Sequence, residues 1–171
     1  HPFDPGYLNR YNLIQGDSSS VGKYWDTDEY GTVKLLFVDS IHVACQVLTE
    51  LYHWYPHVEE GGYIVFHDTN WPEGMHDLTW HPEVKQNNIK WDRPEVAVGK
   101  FFGISSLFEE HGNTGFTYED DNISVRHRPE SWGLTTVHIK QKIDFTQNIG
   151  DWDKVFEDRN TVVGYFKKEP E

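Results

Sequence analysis

Two short apolar segments, each ending in ionisable residues, constrain the fold of this chain more than any other feature. Residues 33–42 read VKLLFVDSIH, and residues 61–69 read GGYIVFHDT. Apolar runs without alternation are typical of strands buried on both faces of a parallel sheet. Between them, residues 42–54 place apolar side chains at the three-and-four spacing of an amphipathic helix, which Pro56 ends. The pattern predicts a strand, a right-handed crossover helix and a second, parallel strand.

The ionisable residues follow the two predicted strands at corresponding ends. Asp39 and His42 come after the first strand, and His67 and Asp68 end the second. Open α/β sheets bind ligands at the edge where the carboxyl ends of parallel strands meet, so we expect these four side chains in one crevice. Because neighbouring strands lie ~4.8 Å apart, Asp39 and Asp68 are close enough to share one cation.

Each of these residues also has an ordinary structural interpretation. Asp39 reads equally as a helix N-cap, Asp68 as a cap or turn residue, and His42 as a partly exposed residue of the first helical turn. His67 directly precedes Asp68, so we expect their side chains on opposite faces of the sheet, with His67 either a ligand or a packing residue. Two aspartates favour Mg²⁺ or Mn²⁺, and two histidines leave Zn²⁺ or Fe²⁺ open. Histidine is also the side chain best suited to act as a general base near neutral pH.

The rest of the chain completes one α/β domain over residues 1–171. We predict strands over 11–15, 115–119, 134–139 and 161–166, helices over 18–25 and 95–110, and loops over 26–32 and 69–94. Asp17 and Ser18 either contact a nucleoside-like cofactor or cap the helix that follows them. The long loop carries Trp71, His76 and Trp80, which either stack on a substrate ring or pack onto the domain. The expected sheet is Rossmann-like, three-layered and mostly parallel, with a late antiparallel strand.

The composition excludes several kinds of partner and site. A net charge of -13 opposes binding to a phosphate backbone, so we expect no nucleic acid. No apolar stretch approaches the ~18 residues of a membrane span, so we expect no membrane partner. The single Cys45 excludes an intrachain disulfide and a Cys-rich zinc site, and the sequence has no G-x-G-x-x-G or Walker motif. We expect a reducing, cytoplasmic location.

The combined pattern resembles class I S-adenosylmethionine-dependent methyltransferases. The shared pattern is Asp-x-x-His at Asp39 and His42, a helix ending in Trp-x-Pro at Trp54, then Gly-Gly, a strand and the His-Asp pair at 67–68. It is most similar to the metal-dependent sugar and small-molecule O-methyltransferases of macrolide and aminocoumarin biosynthesis and to the related cephalosporin-hydroxylase-like group. The resemblance covers about residues 11–102.

The resemblance implies S-adenosylmethionine-dependent, divalent-metal-assisted methylation of a hydroxyl on a sugar or other small polyol. It implies that Asp39 and Asp68 bind Mg²⁺ or Mn²⁺ with His67 as a further ligand, and that His42 and Asp39 are the catalytic residues, His42 taking the hydroxyl proton. It implies that Asp17 and Ser18 lie at the cofactor. The glycine-rich cofactor loop and the acidic ribose-binding residue of such enzymes are absent, and we expect them upstream of His1.

The residues themselves leave two other functions open. The Asp and His cluster also suits a metal-dependent hydrolase or oxygenase. A non-catalytic, methyltransferase-like module that packs against another domain is the third interpretation. The expected partner is a small-molecule or sugar acceptor, and a homo-oligomer or an additional upstream domain stays open.

Overall fold

The computed structural model describes residues 12–70 and 93–166, so Trp71, His76 and Trp80 lie outside the described residues. The described helices are α1 (Ser18–Lys23), α2 (Thr27–Tyr30), α3 (Ala44–Trp54), α4 (Pro94–Phe102), α5 (Ser105–His111) and α6 (Trp152–Phe166). The strands are β1 (Val33–Val38), β2 (Val58–His67), β3 (Phe116–Glu119), β4 (Ile123–Arg128) and β5 (Leu134–Ile139). Single 3₁₀ turns cover Tyr55–His57 and Thr146–Asn148. No helix in these ranges is long and apolar enough to cross a membrane.

The five strands form one mixed sheet in the order β1-β2-β5-β4-β3. Strands β1 and β2 are parallel, and α3 is the crossover between them. Strand β5 is antiparallel to both β2 and β4, so β1, β2 and β4 point the same way while β5 and β3 point the other way. The predicted Rossmann-like α/β fold with a late antiparallel strand is confirmed. Its parallel part among the described strands is the β1–β2 pair, and the other three pairings are antiparallel.

The core lies between one face of this sheet and the helices. Ile64 and Phe66 of β2 are fully buried under α3 and α4, whereas Tyr63, which points to the other face, is 44% exposed. On β1, Leu35 and Phe37 are 62% and 55% exposed. The prediction that both strands are buried on both faces is therefore wrong for the described residues, because no described element covers the second face.

Three predictions of local structure at helix and strand boundaries are wrong. Residues 12–15 form no strand, since they pair with no neighbouring strand in the described ranges. The predicted loop over 26–32 contains α2, which forms because Asp26 caps it by accepting from the backbone N–H groups of Asp28 and Glu29. The helix predicted over 95–110 is divided into α4 and α5 at Gly103, whose φ of 74° is the left-handed geometry that ends a helix.

The apolar segment over 161–166 belongs to α6 and is not the predicted strand. Its β-branched residues favour a strand locally, but the tertiary contacts of α6 favour a helix. Val162 is fully buried against Val43, and the rings of Trp152 and Phe156 lie 4.6 and 5.2 Å from the ring of Tyr52 on α3. Packing of these long-range partners outweighs the local preference.

A buried hydrogen-bonded chain joins β4, β5 and the segment that follows β2. Nε2 of His127 lies 2.8 Å from the carbonyl oxygen of Gly112, so it donates, and Nδ1 therefore accepts from the hydroxyl of Thr135 at 2.8 Å. The hydroxyl of Thr135 lies 2.8 Å from that of Thr69. Because Thr69 follows Asp68, this network fixes the backbone next to the predicted crevice.

This network makes stability depend on the protonation of His127. Burial lowers the pKa of His127 below its ordinary 6.5, so below about that pH the unfolded chain takes up a proton that the folded protein excludes. The contribution of His127 is fully present above pH 6.5 and is lost as the pH falls. We expect His127→Gln to cost about 1–3 kcal/mol of unfolding free energy near pH 8, because it breaks the network, and the deficit to shrink on acidification.

Urea unfolding of both proteins across that pH range measures the deficit. The matched control is His111→Gln, since the His111 side chain is 51% exposed at the end of α5. The control should follow the wild type at every pH. A deficit for His127→Gln that stays constant as the pH falls contradicts the assigned protonation state.

Candidate metal and active site

Four ionisable side chains meet at the edge where the parallel strands β1 and β2 end. Asp39 follows β1, His67 is the last residue of β2, Asp68 follows it, and His42 lies in the turn before α3. Helix α3 begins at Ala44 and its N-cap is Val43, so the interpretation of Asp39 as a helix cap is wrong. The crevice predicted from the sequence is therefore present, with its four side chains together.

The distances within this cluster suit the ligands of a single cation. Nε2 of His42 lies 2.7 Å from Oδ2 of Asp68 and 3.5 Å from Oδ1 of Asp39. Nδ1 of His67 lies 3.0 Å from Oδ2 of Asp68 and 3.6 Å from Oδ1 of Asp39. Adjacent ligands at ~2.1 Å from an octahedral ion are about 3 Å apart. One atom each from Asp39, His42 and Asp68 lies within 4.8 Å of the others, so these residues fit a divalent ion.

The ring of His67 supports this fit in a second way. Its Nδ1 is buried and makes no hydrogen bond to any described residue, although Oδ2 of Asp68 is only 3.0 Å away. A buried nitrogen at this distance without hydrogen-bond alignment calls for a missing partner, and a cation between the two atoms is such a partner. His67 therefore belongs with the candidate ligands.

The prediction that His67 and Asp68 point to opposite faces of the sheet is wrong. Asp68 has a φ of 56°, in the left-handed region, so the chain turns sharply after β2 and both side chains reach the crevice. Aspartate adopts this conformation more readily than most residues other than glycine, but it persists only when the surroundings hold it. Strain of this kind is concentrated at functional sites.

Contacts from the turn before β5 hold the segment after β2 in place. The backbone N–H of Asn70 donates to the carbonyl oxygen of Trp132 at 2.7 Å. The side-chain amide of Asn70 donates to the carbonyl oxygen of Pro129 at 3.1 Å. Gly133, with a φ of 91°, allows this approach, because a Cβ there would lie 2.4 Å from the nitrogen of Asn70. The site is thus built on two paired strands and a clamped turn.

The cluster is closed on one side and open on the other. The side chain of Asp68 is 7% exposed and that of His42 is 17% exposed, whereas that of Asp39 is 46% exposed. A ligand therefore approaches from the side of Asp39. Asp68, at the closed end, contacts both histidines.

Asp17 and Ser18 lie at the start of α1, and the structure confirms Asp17 as its N-cap. Oδ1 of Asp17 accepts from the backbone N–H of Ser20 at 3.0 Å and from the hydroxyl of Ser19 at 2.5 Å, and Oδ2 pairs with Arg159 of α6. Partial burial raises the pKa of Asp17, but these bonds lower it by more, so its carboxylate stays ionised. The cofactor-binding role of Asp17 and Ser18 stays a prediction.

Glu50 of α3 is a site residue that sequence reasoning missed. Its two carboxylate oxygens accept from the hydroxyl of Ser18 and, at 2.8 Å, from that of Ser40, which follows Asp39. Glu50 is 3% exposed, and burial raises its pKa, although the serine hydrogen bonds oppose the shift. It joins the start of α1 to the turn that carries Asp39. A glutamate within an amphipathic helix gives no local sign of this contact.

Comparison with known proteins agrees with this architecture over the N-terminal part of the chain. Residues 3–69 match a family model described as a methyltransferase domain. The match supports a methyltransferase domain. It spans less than half of the 171 residues and includes all four side chains of the cluster. Comparisons with curated proteins and with solved structures returned no match.

Proposed function

We propose that this protein is an S-adenosylmethionine-dependent, divalent-metal-assisted O-methyltransferase that acts on a hydroxyl of a sugar or other small polyol. One observation carries the proposal: Asp39, His42 and Asp68 place ligand atoms within 4.8 Å of one another. They do so inside the segment that matches a methyltransferase domain. The match supports methyl transfer, and the cluster supports the use of a metal.

In this proposal, some residues of the cluster hold the metal ion and one accepts a proton. Asp39 and Asp68 would hold Mg²⁺ or Mn²⁺, with His67 as a further ligand. The ion would supply positive charge that makes a neighbouring hydroxyl more acidic, and S-adenosylmethionine would supply the methyl group. His42 would accept the hydroxyl proton at Nε2, and Asp68, 2.7 Å away, would stabilise the imidazolium that results. Methyl transfer is an in-line displacement, so holding the acceptor in line contributes much of the rate.

The proposal predicts methyl transfer that requires a divalent ion. The assay uses labelled S-adenosylmethionine and a panel of polyols, with each vicinal diol matched to its monodeoxy analogue. We expect methylated product with Mg²⁺ or Mn²⁺, loss of product after chelation, recovery when the ion is restored, and preference for the diol. Transfer that chelation leaves unchanged contradicts the metal-assisted mechanism.

A second function is favoured by the position of His67. Two histidines and a carboxylate are a common ligand set of zinc enzymes and of non-haem iron oxygenases. A metal-dependent hydrolase or oxygenase would retain zinc or iron through purification and would not bind S-adenosylhomocysteine. Metal analysis together with an S-adenosylhomocysteine titration separates the two functions.

The proposed setting is a cytoplasmic one with a small-molecule acceptor. The acidic net charge supports a small-molecule acceptor over nucleic acid. The alternative of a non-catalytic module predicts a protein that binds neither metal nor S-adenosylhomocysteine. The same two measurements test it.

A further inference from the structure

The uncovered face of the sheet carries a positive patch on an otherwise acidic protein. Arg126 and Arg128 of β4 are both exposed, and residues two apart on a strand share a face. Within the described ranges, neither guanidinium forms an ion pair or a hydrogen bond. The other arginines that the structure describes are both paired with carboxylates, Arg93 with Glu95 and Arg159 with Asp17.

Two unpaired like charges side by side repel each other and lower stability. An anion bound between them would remove this repulsion. Each guanidinium can donate two parallel N–H groups to a phosphate or a carboxylate, which is the strongest and most specific contact that a surface arginine makes. The net charge of -13 repels anions from the protein as a whole, so this patch is a local site of opposite potential.

The patch lies in a groove that reaches the metal cluster at His67. This groove of about 880 Å³ is lined by His67, Arg126 and Arg128, and His67 is the one member of the cluster among its described lining residues. The strand register gives the geometry, because Arg128 lies opposite Leu134 of β5, which in turn lies opposite His67 of β2. Two interstrand spacings separate the backbones of Arg128 and His67 by ~10 Å.

The groove has few groups that would compete for the arginines. Glu130 is the one carboxylate among its described lining residues, and it pairs with neither arginine. Hydroxyl groups of Thr117 and Ser131 are available to a polar ligand. A second groove of about 540 Å³ shares both arginines and adds Tyr63, whose ring is stacked on His138 at 4.5 Å.

We propose that the acceptor is an anionic sugar or polyol, whose phosphate or carboxylate is held by Arg126 and Arg128 while a hydroxyl lies at the Asp and His cluster. This inference rests on the proposed function and names its substrate class. A sugar ring with one anionic substituent bridges a distance of the order that separates Arg128 from His67. The arginines set the orientation of the acceptor, and the cluster acts on the hydroxyl at its other end.

The test measures binding without any methyl donor. Glucose, glucose 6-phosphate and glucuronate are titrated at low ionic strength into the Mg²⁺-loaded wild type and into an Arg126→Gln/Arg128→Gln variant. We expect at least one anionic sugar to bind the wild type ~10-fold or more tightly than glucose does, and the variant to lose that preference. The comparison of glucose 6-phosphate with glucuronate decides between phosphate and carboxylate.

A matched control removes two positive charges elsewhere. Lys23→Gln/Lys154→Gln changes the net charge equally, on the exposed surfaces of α1 and α6. This control should keep the preference for the anionic sugar. Equal binding of all three sugars to the wild type, a preference that survives the arginine substitutions, or an equal loss in the lysine control overturns the inference.

The sugar-binding test and the methyl-transfer assay can fail independently of each other. Metal-dependent transfer to neutral and anionic polyols at equal efficiency would leave the methyltransferase proposal standing and refute the anionic acceptor. Absence of transfer to any acceptor, with an arginine-dependent preference for the anionic sugar retained, would refute the methyltransferase and leave an anion site. If the protein shows neither methyl transfer nor an arginine-dependent preference for the anionic sugar, both proposals are refuted.

Discussion

Asp68→Asn should abolish binding of the divalent ion and lower methyl transfer by at least about 100-fold, with the protein still folded. Oδ2 of Asp68 is the atom closest to both histidines, at 2.7 and 3.0 Å, so the cluster loses its central ligand. Asparagine has the same size and, like aspartate, tolerates the φ of 56° at this position. Mn²⁺ titration, the transfer assay and circular dichroism report metal binding, activity and fold.

Asp39→Asn is the companion variant for this prediction. Because the side chain of Asp39 is 46% exposed, its substitution tests the metal site with little effect on the core. Asp121→Asn, at an exposed position in the turn before β4, removes the same charge outside the site and should behave like the wild type. Wild-type metal affinity and activity in either Asp68→Asn or Asp39→Asn would refute the metal site.

The sequence predicts the part of the fold where local signals agree. Apolar runs at β1 and β2 and the periodic helix between them fix the βαβ unit, and the polar residues at the strand ends then have only one edge of the sheet to occupy. For this reason the residue pattern alone brings Asp39, His42, His67 and Asp68 together. Strand β5 is predicted with its observed bounds, 134–139, because its residues favour a strand and turn residues flank them.

The missed features depend on contacts between distant segments. The side-chain direction of Asp68 follows from its own φ, and the hydrogen bonds of Thr69 and Asn70 to Gly133 and Trp132 hold this turn. The bond from Glu50 to Ser18 joins residues 32 positions apart. Strand β4 lies between the predicted strands over 115–119 and 134–139, where we predict no strand, because one of its three buried residues is the polar His127. None of these contacts has a signature within a short window of sequence.

The pairing of β4 with β5 also explains why the sequence gives no sign of the arginine patch. Arg126 and Arg128 carry no motif, and their relation to His67 exists only because β5 inserts between β2 and β4. A strand order that departs from the chain order brings residues about 60 positions apart into one groove. The strand order of the sheet therefore brings these residues together into a candidate substrate site.

His42→Gln should lower the rate of methyl transfer by about 10²–10⁴-fold while changing the affinity for Mn²⁺ only slightly. The reason is that a general base acts on the proton in the transition state and contributes little to holding the ion. Glutamine keeps a polar group near the position of Nε2 but has no basic nitrogen. The rate constant at saturating substrate and the Mn²⁺ dissociation constant are measured side by side on the variant and the wild type.

The two measurements decide between two roles that compete for one atom. Nε2 of His42 lies 2.7 Å from Oδ2 of Asp68 and 3.5 Å from Oδ1 of Asp39, so it is both the candidate base and a candidate ligand. A nitrogen whose lone pair is bound to a cation cannot accept a proton, so it cannot fill both roles at once. A fall in the rate alone assigns His42 as the base, whereas a parallel fall in Mn²⁺ affinity assigns it to the metal and contradicts the proposed mechanism. Unchanged activity would exclude both roles, and the proton would then have to leave through Asp39, the most exposed carboxylate of the cluster.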